Sequence, residues 1–351
     1  MLDWTLKPTL TEEERHQWHT LLGNQPTAHP FQAISWGDIC SETGSQPLYF
    51  LGRREGRLKM VALILKRAIP IMGRSAFVIS RGPVFSDMDV FKEGLEVLIG
   101  HLKLQRAISC KVNPYWRLPA GAEVQQLLQQ KGFRPSREEQ FHSSTLQIDL
   151  RRNLADIFGS FRQTTRHEIA KLQKMGGEIY FGQRDEDSQA FYDIHKAMCK
   201  GKGLPPLHLR SLRALWETWL QDRNGGALLL ASYHGEPVAG AIILRFKKQA
   251  WYTWGASIRK FPKLPLGHSL QCQAIQWAKS VGCEIYDLGG WISLDELSPN
   301  DPKRGASIFK WGFSKKRVDF VREHDLILSP RLHRLFLKAK AWRNEVRRRM
   351  L

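Results

Sequence analysis

Two stretches that lie far apart in the chain share one pattern of hydrophobic and polar residues. Residues 49–68, YFLGRREGRLKMVALILKRA, and residues 228–247, LLLASYHGEPVAGAIILRFK, each contain an apolar run, a short polar stretch with a glycine, and a second apolar run. Apolar runs of this length bounded by turn residues are typical of strands, so each stretch predicts a hairpin. Helical spacing of apolar residues follows the first stretch, at Val90, Leu95, Leu98 and Leu102. Two hairpins with helical segments around them predict an α/β fold that is built twice.

The repeated rhythm favours two related α/β domains in tandem, the alternative being one mixed domain. We place the first domain at residues 1–150 and the second at residues 177–328. The intervening residues 151–176 have apolar residues at helical spacing and end at two glycines, which are common at a helix C-terminus. The other face of this linking helix is basic, with Arg162, Arg166, Lys171 and Lys174.

The last segment, residues 329–351, has the pattern of a basic amphipathic helix. Its apolar stripe is predicted to contain Leu332, Leu335, Phe336, Ala339, Trp342, Val346 and Met350. Arginine and lysine occupy most of the remaining positions. Three interpretations are open: a helix that lies on anionic lipid, one that contacts RNA phosphates, and one that packs on the second domain with a solvated outer face.

The charge balance points to anionic partners. The chain of 351 residues contains 53 Lys and Arg against 34 Asp and Glu, a formal net charge of +19. Such a surplus favours nucleic acid, anionic lipid or phosphorylated substrates, although charge alone does not define the fold.

Cysteine usage and hydropathy indicate the compartment. The five cysteines are scattered and form no CxxC pair, which argues against a disulfide framework and against a cysteine-based zinc site. The N-terminal residues lack the apolar segment of a secretory signal, and no apolar run approaches the roughly 20 residues that span a bilayer. We therefore expect a cytoplasmic protein that can touch the inner face of the plasma membrane without crossing it.

Several ordered segments resemble one known family. HPFQAISWGD (29–38), ISRGPVFSD (79–87), YDLGGW (286–291) and GASIFKWGF (305–313) are similar, in this order, to segments of the Fem family. Its members are aminoacyl-tRNA-dependent transferases that extend peptidoglycan precursors, and they are built from two GNAT-like domains. The resemblance implies mixed sheets flanked by helices, and the second domain here has no stretch long enough for the coiled-coil arm of some members. One departure is Cys40, which stands where the family often has a lysine that meets substrate phosphates.

The resemblance also implies a reaction and its partners. The expected reaction moves an amino acid from aminoacyl-tRNA to an amine of a nucleotide-linked or lipid-linked peptidoglycan precursor, with the enzyme acting as a monomer. Two alternatives stay open: a GNAT-type acyltransferase that modifies another polymer or small molecule, and a non-catalytic basic module that binds RNA or membrane. The amino acid transferred and the acceptor position are not defined by the sequence.

Lys310 is the main catalytic candidate. It stands among Ile308, Phe309, Trp311 and Phe313, and it is either a surface strand residue or a cation placed in a site. Partial desolvation would strengthen its effect on the oxyanion or on the departing ribose oxygen. The second candidate is Asp287. It either has a catalytic role, orienting Lys310 or relaying the amine proton, or it accepts backbone N–H bonds at a strand end.

Further residues are candidates for binding the two substrates, and the resemblance itself implies two of these roles: Phe309 at the aminoacyl-tRNA end and Arg166 at an acceptor phosphate. On the donor side are Phe309, which could stack on the terminal adenine, Arg304, and the pair Gly289 and Gly290, which either touch the donor or permit a bulge or a positive φ. On the acceptor side are the arginines expected to hold phosphates, with Tyr252 beside them: Arg166, Arg162 and Arg81. Arg162 and Arg166 are expected to project together from one side of the linking helix.

No cofactor is expected. The segment LPLGHS (264–269) retains one glycine of the loop with which GNAT enzymes hold the pyrophosphate of acetyl-CoA, so acetyl-CoA binding is disfavoured. The chain has no HExxH pair and no GxSxG motif, which argues against metal-dependent and serine-nucleophile hydrolysis.

Overall fold

Two mixed β-sheets, each in its own compact unit, form the framework of the protein. The computed structural model describes residues 2–69, 72–258, 260–261 and 264–350, and the side chains of residues 173 and 343–350 are outside this description. Unit 1 consists of Met1–Ser143 and Asp319–Arg349, and unit 2 consists of Ser144–Val318. The mixed α/β class with helices flanking the sheets is as predicted.

The sheet of unit 1 has eight strands, of which seven follow one path. The strands are β1 (Asp3–Lys7), β2 (Gln46–Arg54), β3 (Arg57–Ile69), β4 (Arg74–Ser80), β5 (Val84–Phe85), β6 (Ala107–Asn113), β7 (Arg134–Pro135) and β15 (His324–Ile327). Their order is β1-β2-β3-β4-β6-β15-β7, with β5 paired to β3, and β4 and β6 are the parallel neighbours.

The described residues of unit 1 form five α-helices: α1 (Glu12–Asn24), α2 (Ile34–Ser41), α3 (Met88–Leu104), α4 (Ala122–Gln130) and α11 (Pro330–Met350). Asp87 caps the N-terminus of helix α3, and its carboxylate accepts a hydrogen bond from the Val90 amide at 2.9 Å. Its four predicted apolar positions, Val90, Leu95, Leu98 and Leu102, are fully buried in the core of unit 1. The spacing that predicted this helix therefore also identified its buried face.

Unit 2 contains seven strands in the order β14-β8-β13-β12-β11-β10-β9. They are β8 (Ser144–Asp149), β9 (Gly177–Phe181), β10 (Gly226–Tyr233), β11 (Glu236–Phe246), β12 (Gln249–Ser257), β13 (Ile285–Gly290) and β14 (Arg317–Asp319). The helices are α5 (Leu154–Gly159), α6 (Gln163–Lys174), α7 (Asp185–Gly201), α8 (Leu209–Leu215), α9 (Leu266–Ser280) and α10 (Arg304–Trp311).

The two predicted hairpins are present, and their turns have the same backbone form. Strands β2 and β3 are joined through Glu55 and Gly56, and β10 and β11 through His234 and Gly235. All four residues have positive φ, which is the geometry of a two-residue turn that matches strand twist. The resemblance between the two stretches of sequence therefore corresponds to the same supersecondary element in each unit.

The predicted domain boundaries have to be corrected at both ends. Residues 144–150 were assigned to the first domain, but β8 belongs to the sheet of unit 2, where it pairs with β13. Likewise, β15 and helix α11 belong to unit 1, because β15 pairs with β6 and β7. Both pairings join segments far apart in sequence, and the local hydrophobic pattern carries no information about such partners.

The predicted linking helix, residues 151–176, is broken into α5 and α6. Phe161 lies at the break and is buried, and the amide of Arg162 donates to the carbonyl oxygen of Gly312 at 2.8 Å. The guanidinium of Arg166 donates to the carbonyl oxygens of Gly159 and Phe161 and so satisfies backbone groups at the end of α5. The break thus follows from burial of an aromatic side chain and from a side chain that caps the helix end.

A buried charge cluster attaches β15 to the sheet of unit 1. The Lys111 ammonium on β6 donates to the carboxylates of Glu323 at 2.7 Å and Asp325 at 3.0 Å, and to the hydroxyl of Ser136 at 2.8 Å. Only 1% of the Glu323 side chain is exposed. Burial raises the pKa of the Glu323 carboxyl, and the Lys111 hydrogen bond opposes that shift.

We predict that Lys111→Met destabilises the protein by about 3–5 kcal/mol, because it leaves the buried Glu323 carboxylate without its cation. The difference in the free energy of unfolding between the variant and the wild type should shrink as the pH is lowered. The pKa of the Glu323 carboxyl is raised in the folded protein, so this carboxyl becomes protonated as the pH falls, and the neutral form needs no cation. Urea unfolding at several pH values measures both effects. Lys103→Met, at an exposed lysine of α3, is the matched control; equal losses for the two variants would contradict the prediction.

Candidate active site

The candidate site lies where two central strands of unit 2 separate. Strands β12 and β13 pair in parallel through three residues, Gln249–Trp251 with Ile285–Asp287. On its other edge β13 pairs with β8, and the register shifts between Asp287 opposite Gln147 and Gly290 opposite Thr145. The shift is a bulge that contains Gly289, which has a φ of 75°. Backbone groups at the end of β13 are therefore turned out of the regular ladder.

The Asp287 carboxylate holds this bulge in place. It accepts hydrogen bonds from the Thr145 hydroxyl at 2.5 Å, the Gln147 amide at 2.9 Å and the Gly289 backbone amide at 2.8 Å. Only 3% of Asp287 is exposed. The Thr145 oxygen is also 2.8 Å from the Gly289 carbonyl oxygen, so its single proton serves one of these two acceptors at a time. Three donors offset the cost of burying the carboxylate.

Lys310 extends into the site from α10, a helix, so the alternative of a surface strand residue is wrong. Its ammonium donates to the Gly290 carbonyl oxygen at 2.7 Å and lies 5.8 Å from the centre of the Tyr252 ring. Burial lowers the pKa of Lys310 to about 8, and the negative charge of Asp287 opposes the shift. The described residues include no hydrogen bond or ion pair between Lys310 and Asp287. The carboxylate therefore acts on the lysine by long-range electrostatic attraction and by holding the backbone that carries the Gly290 carbonyl.

The predicted glycines and Tyr252 surround the ammonium. A Cβ atom added to Gly289 would lie 3.4 Å from the Lys310 nitrogen and 2.8 Å from the Tyr252 carbonyl oxygen. Burial raises the pKa of the Tyr252 hydroxyl to about 12, so the ring stays neutral beside the cation. The structure therefore brings together four predicted residues: Lys310, Gly289, Gly290 and Tyr252. Tyr252, predicted for the acceptor side, lies next to the catalytic candidate.

Phe309 covers the N-terminus of α9. Its ring centre is 5.0 Å from that of His268 and 5.2 Å from that of Phe313. A Cβ atom added to Gly267 would lie 3.3 Å from the Phe309 ring. Phe309 is half-buried against the core of unit 2, so one part of its surface remains open to solvent.

Arg304 anchors the loop between β13 and α10. One guanidinium nitrogen donates to the carbonyl oxygens of Leu294 at 2.9 Å and Leu297 at 3.1 Å. The same loop is fixed at its start by Trp291, which stacks on Trp311 with the ring centres 5.4 Å apart. These bonds assign Arg304 a role in ordering the loop, and its predicted contact with the donor stays a prediction.

A cavity of about 320 Å³ opens where the break between α5 and α6 meets the end of α10. It is lined by Ser160, Phe161, Arg162, Trp311, Ser314 and Lys315. Two exposed cations, Arg162 and Lys315, stand beside the aromatic ring of Trp311, an arrangement that suits a phosphate next to a planar group. Arg166 lies one helical turn further on, since its amide donates to the Arg162 carbonyl oxygen at 3.1 Å, and one nitrogen of its guanidinium is bound to the carbonyl oxygens of Gly159 and Phe161. The predicted action of Arg162 and Arg166 on an acceptor phosphate stays a prediction.

Arg81 belongs to unit 1 and has aromatic surroundings. It follows β4 with a φ of 54°, and its guanidinium carbon lies 4.9 Å from the ring centre of Phe141 and 5.4 Å from that of Tyr115. Cation–π contact of this kind stabilises a partly buried guanidinium. Its predicted role toward the acceptor stays a prediction.

Two site residues were missed from sequence, Thr145 and Gln147. They alternate with Leu146 and Ile148 on β8 and are buried. Polar residues at alternate positions of a short apolar strand point to one face, and this spacing was available as a signal for a buried polar network. The spacing alone does not indicate a site, because the site forms only where β8 pairs with β13. Among the described residues no group of three or more His, Cys, Asp or Glu is arranged to hold a metal ion.

Comparison with known proteins identifies the family. The model of the FemAB family matches residues 10–204, more than half of the chain. The chain belongs to the FemAB family. A model of the GNAT acetyltransferase domain also matches, over residues 159–304. The predicted family is thereby confirmed, and the chain is a transferase.

Relatives of known activity are distant in sequence. The chain is 21% identical to the lipid II:glycine glycyltransferase of Staphylococcus aureus, over 90% of this chain and 92% of that one. It is also 21% identical to the UDP-N-acetylmuramoylpentapeptide-lysine N(6)-alanyltransferase of Weissella viridescens, over 50% of this chain. The chain spans about half the length of the Weissella relative, 49%, in that match.

Solved structures show the same fold. The crystal structure of FemX matches with a TM-score of 0.78 at 17% identity and covers 95% of this chain and 99% of its own. A tandem GNAT protein from the clavulanic acid biosynthesis pathway matches with a TM-score of 0.56 at 12% identity, over 93% of this chain and 98% of its own. The predicted fold of two GNAT-like units in tandem is confirmed.

We predict that Gly289→Ala destabilises the protein more than Gly282→Ala does. Both glycines have positive φ, so both variants carry a backbone cost of about 1–2 kcal/mol. A Cβ atom at Gly282 meets nothing within 4 Å, whereas one at Gly289 meets the Tyr252 backbone. Gly289→Ala should therefore lose about 1–3 kcal/mol more. Chemical unfolding of the two variants checks this, and equal midpoints would mean that the bulge tolerates a side chain.

Proposed function

We propose that this protein transfers an amino acid from aminoacyl-tRNA to an amine of a peptidoglycan precursor. The observation that carries the proposal is the half-buried Lys310 ammonium, bound to the Gly290 carbonyl where β12 and β13 separate. The relatives named above support the reaction class, because one is named for glycyl transfer to lipid II and the other for alanyl transfer to a UDP-linked muropeptide. The acceptor is accordingly a lipid-linked or a nucleotide-linked precursor.

The proposed chemistry is attack of the acceptor amine on the ester carbonyl of the charged tRNA. A C–N bond forms, and the carbonyl oxygen carries negative charge until the bond to the ribose oxygen breaks. One N–H of the Lys310 ammonium is used by Gly290, and two remain for the oxyanion or the departing ribose oxygen. The ribose oxygen leaves with a proton from Lys310, and the amine proton released on attack restores the ammonium. A pKa of about 8 suits a group that gives and regains a proton near neutral pH.

The position of Phe309 supports an aminoacyl-tRNA donor over acyl-CoA. GNAT enzymes hold the pyrophosphate of the thioester on free backbone amides at a helix N-terminus. Here the first turn of α9 is covered by the Phe309 ring next to Gly267 and His268. We therefore propose that the reaction needs no acyl-CoA and no other cofactor.

The cavity beside Trp311 supports RNA as the carrier. A base can stack on an aromatic ring, and the neighbouring Arg162 and Lys315 can neutralise a phosphate. The net charge of +19 favours the same partner. We further propose that the enzyme works as a monomer in the cytoplasm, where charged tRNA and precursors with unmodified amines are both present.

We predict that Lys310→Met lowers kcat/KM for transfer from charged tRNA by about 100- to 1,000-fold, the usual effect of removing one oxyanion donor. In the wild type, kcat/KM should fall above about pH 8, because burial lowers the pKa of Lys310 to about 8 and the ammonium is lost above it. The residual activity of Lys310→Met should lack this alkaline limb. Lys316→Met, at an exposed neighbour, is the control.

Transfer of radiolabelled amino acid from charged tRNA to a precursor pool measures this, with acetyl-CoA as the competing donor. Transfer from the thioester alone would overturn the choice of donor and would favour the GNAT-type alternative. An unchanged rate in Lys310→Met would overturn the role of the lysine, whichever donor is used.

We predict that the double variant Arg162→Gln/Lys315→Gln binds an RNA hairpin more weakly than the wild type does. The hairpin has an unpaired 3′ end and carries no amino acid. The slope of log affinity against log salt should fall by about 0.7–0.9 for each phosphate that the variant no longer neutralises. The control is Lys196→Gln/Lys200→Gln, at two exposed lysines of α7. Fluorescence anisotropy over a salt series gives both slopes, and equal changes in the two double variants would contradict a role for the cavity.

A further inference from the structure

Helix α11 of unit 1 has large apolar side chains on its solvent side. Leu335 is 53% exposed and Trp342 is 71% exposed. The sequence pattern predicted these two in one apolar stripe with Leu332 and Phe336. In the structure Leu332 and Phe336 are half-buried, whereas Leu335 and Trp342 face water. One apolar side of the helix is therefore partly covered, and a second one is uncovered.

Exposed cations share the side that carries Leu335 and Trp342. Residues 331, 334, 335, 338 and 342 fall within an arc of about 100° at 3.6 residues per turn. We call this set the outer face of α11: Arg331, Arg334, Leu335, Lys338 and Trp342, all of them exposed. Between Pro330 and Trp342 the sequence contains no acidic residue. The face combines positive charge with an aromatic and an aliphatic anchor.

An anionic bilayer surface complements both properties of this face. Trp is enriched at the interface between lipid headgroups and acyl chains, and leucine inserts beside it, while arginine and lysine keep their charged ends at headgroup level. A second copy of the chain would instead place cations against cations, which is unfavourable. Among the helices in the described residues, none is long and apolar enough to cross a membrane. A helix with a basic face and apolar anchors is suited to lie in the plane of the interface.

We propose that the outer face of α11 docks this protein reversibly on anionic lipid bilayers. The docking is peripheral, depends on anionic lipid and weakens with salt, since the cations contribute through screened attraction. It goes beyond the transfer reaction and requires neither charged tRNA nor a precursor.

The test is co-sedimentation of the full chain with vesicles, without any substrate. We expect binding to vesicles of phosphatidylcholine mixed with phosphatidylglycerol and little binding to phosphatidylcholine alone. Arg334→Gln/Lys338→Gln should weaken binding about 25-fold, from about fivefold for each cation. Trp342→Ser and Leu335→Ser should each weaken it without shifting the unfolding midpoint, because both side chains are exposed in the free protein.

Matched controls come from the same unit. Leu104→Ser removes a leucine that is 81% exposed at the end of α3, and Lys92→Gln/Lys103→Gln removes two exposed lysines of that helix. An equal loss of vesicle binding in these controls would mean that net charge or non-specific hydrophobic adsorption drives binding, and it would overturn the proposal. Absence of binding to anionic vesicles would overturn it as well, as would a wild-type dimer that Trp342→Ser converts to a monomer. None of these outcomes depends on the transfer assay, so the docking and the proposed reaction fail separately.

Discussion

The hydrogen bonds accepted by the buried Asp287 carboxylate fix the backbone on which the rest of the site depends. Donors from two strands, Thr145 and Gln147 on β8 and the Gly289 amide on β13, converge on one carboxylate. They hold the bulge, and the bulge directs the Gly290 carbonyl oxygen toward Lys310. Removal of one of the three donors would leave the buried carboxylate only partly satisfied, which costs more than the loss of an ordinary hydrogen bond between neutral groups.

Asp287 and Lys310 influence each other electrostatically, but the absence of a direct ion pair between them is equally important. A direct ion pair would raise the pKa of the lysine and occupy its N–H groups. With a carbonyl oxygen as its bonded partner instead, Lys310 has a pKa of about 8 because of burial, and the carboxylate opposes the shift from a distance. The ammonium thus remains charged at neutral pH while most of its donors stay open. In this arrangement the protein uses a neutral acceptor to orient a charged group.

The sequence predicted elements more reliably than partners. The two hairpins, the buried face of α3 and the cluster of Lys310 with Gly289 and Gly290 follow from local patterns or from the family resemblance. The placement of β8 and β15 does not, because strand pairing across more than a hundred residues is absent from any local window. Thr145 and Gln147 were not predicted for the same reason, because their role depends on their position opposite β13. The break at Phe161 was missed for a related reason, since helical spacing continues through a residue whose burial is decided by tertiary packing.

The return of β15 to the first sheet also constrains how the chain can fold during synthesis. The strands of the unit 2 sheet all lie between Ser144 and Asp319, in one stretch of the chain. The sheet of unit 1 instead lacks the strand between β6 and β7 until His324–Ile327 has been made. Since domains fold as units as the chain emerges, the sheet of unit 1 is completed only after the strands of unit 2 have been translated. Until then the edge of β6 is open, and Lys111 lacks the carboxylates of Glu323 and Asp325.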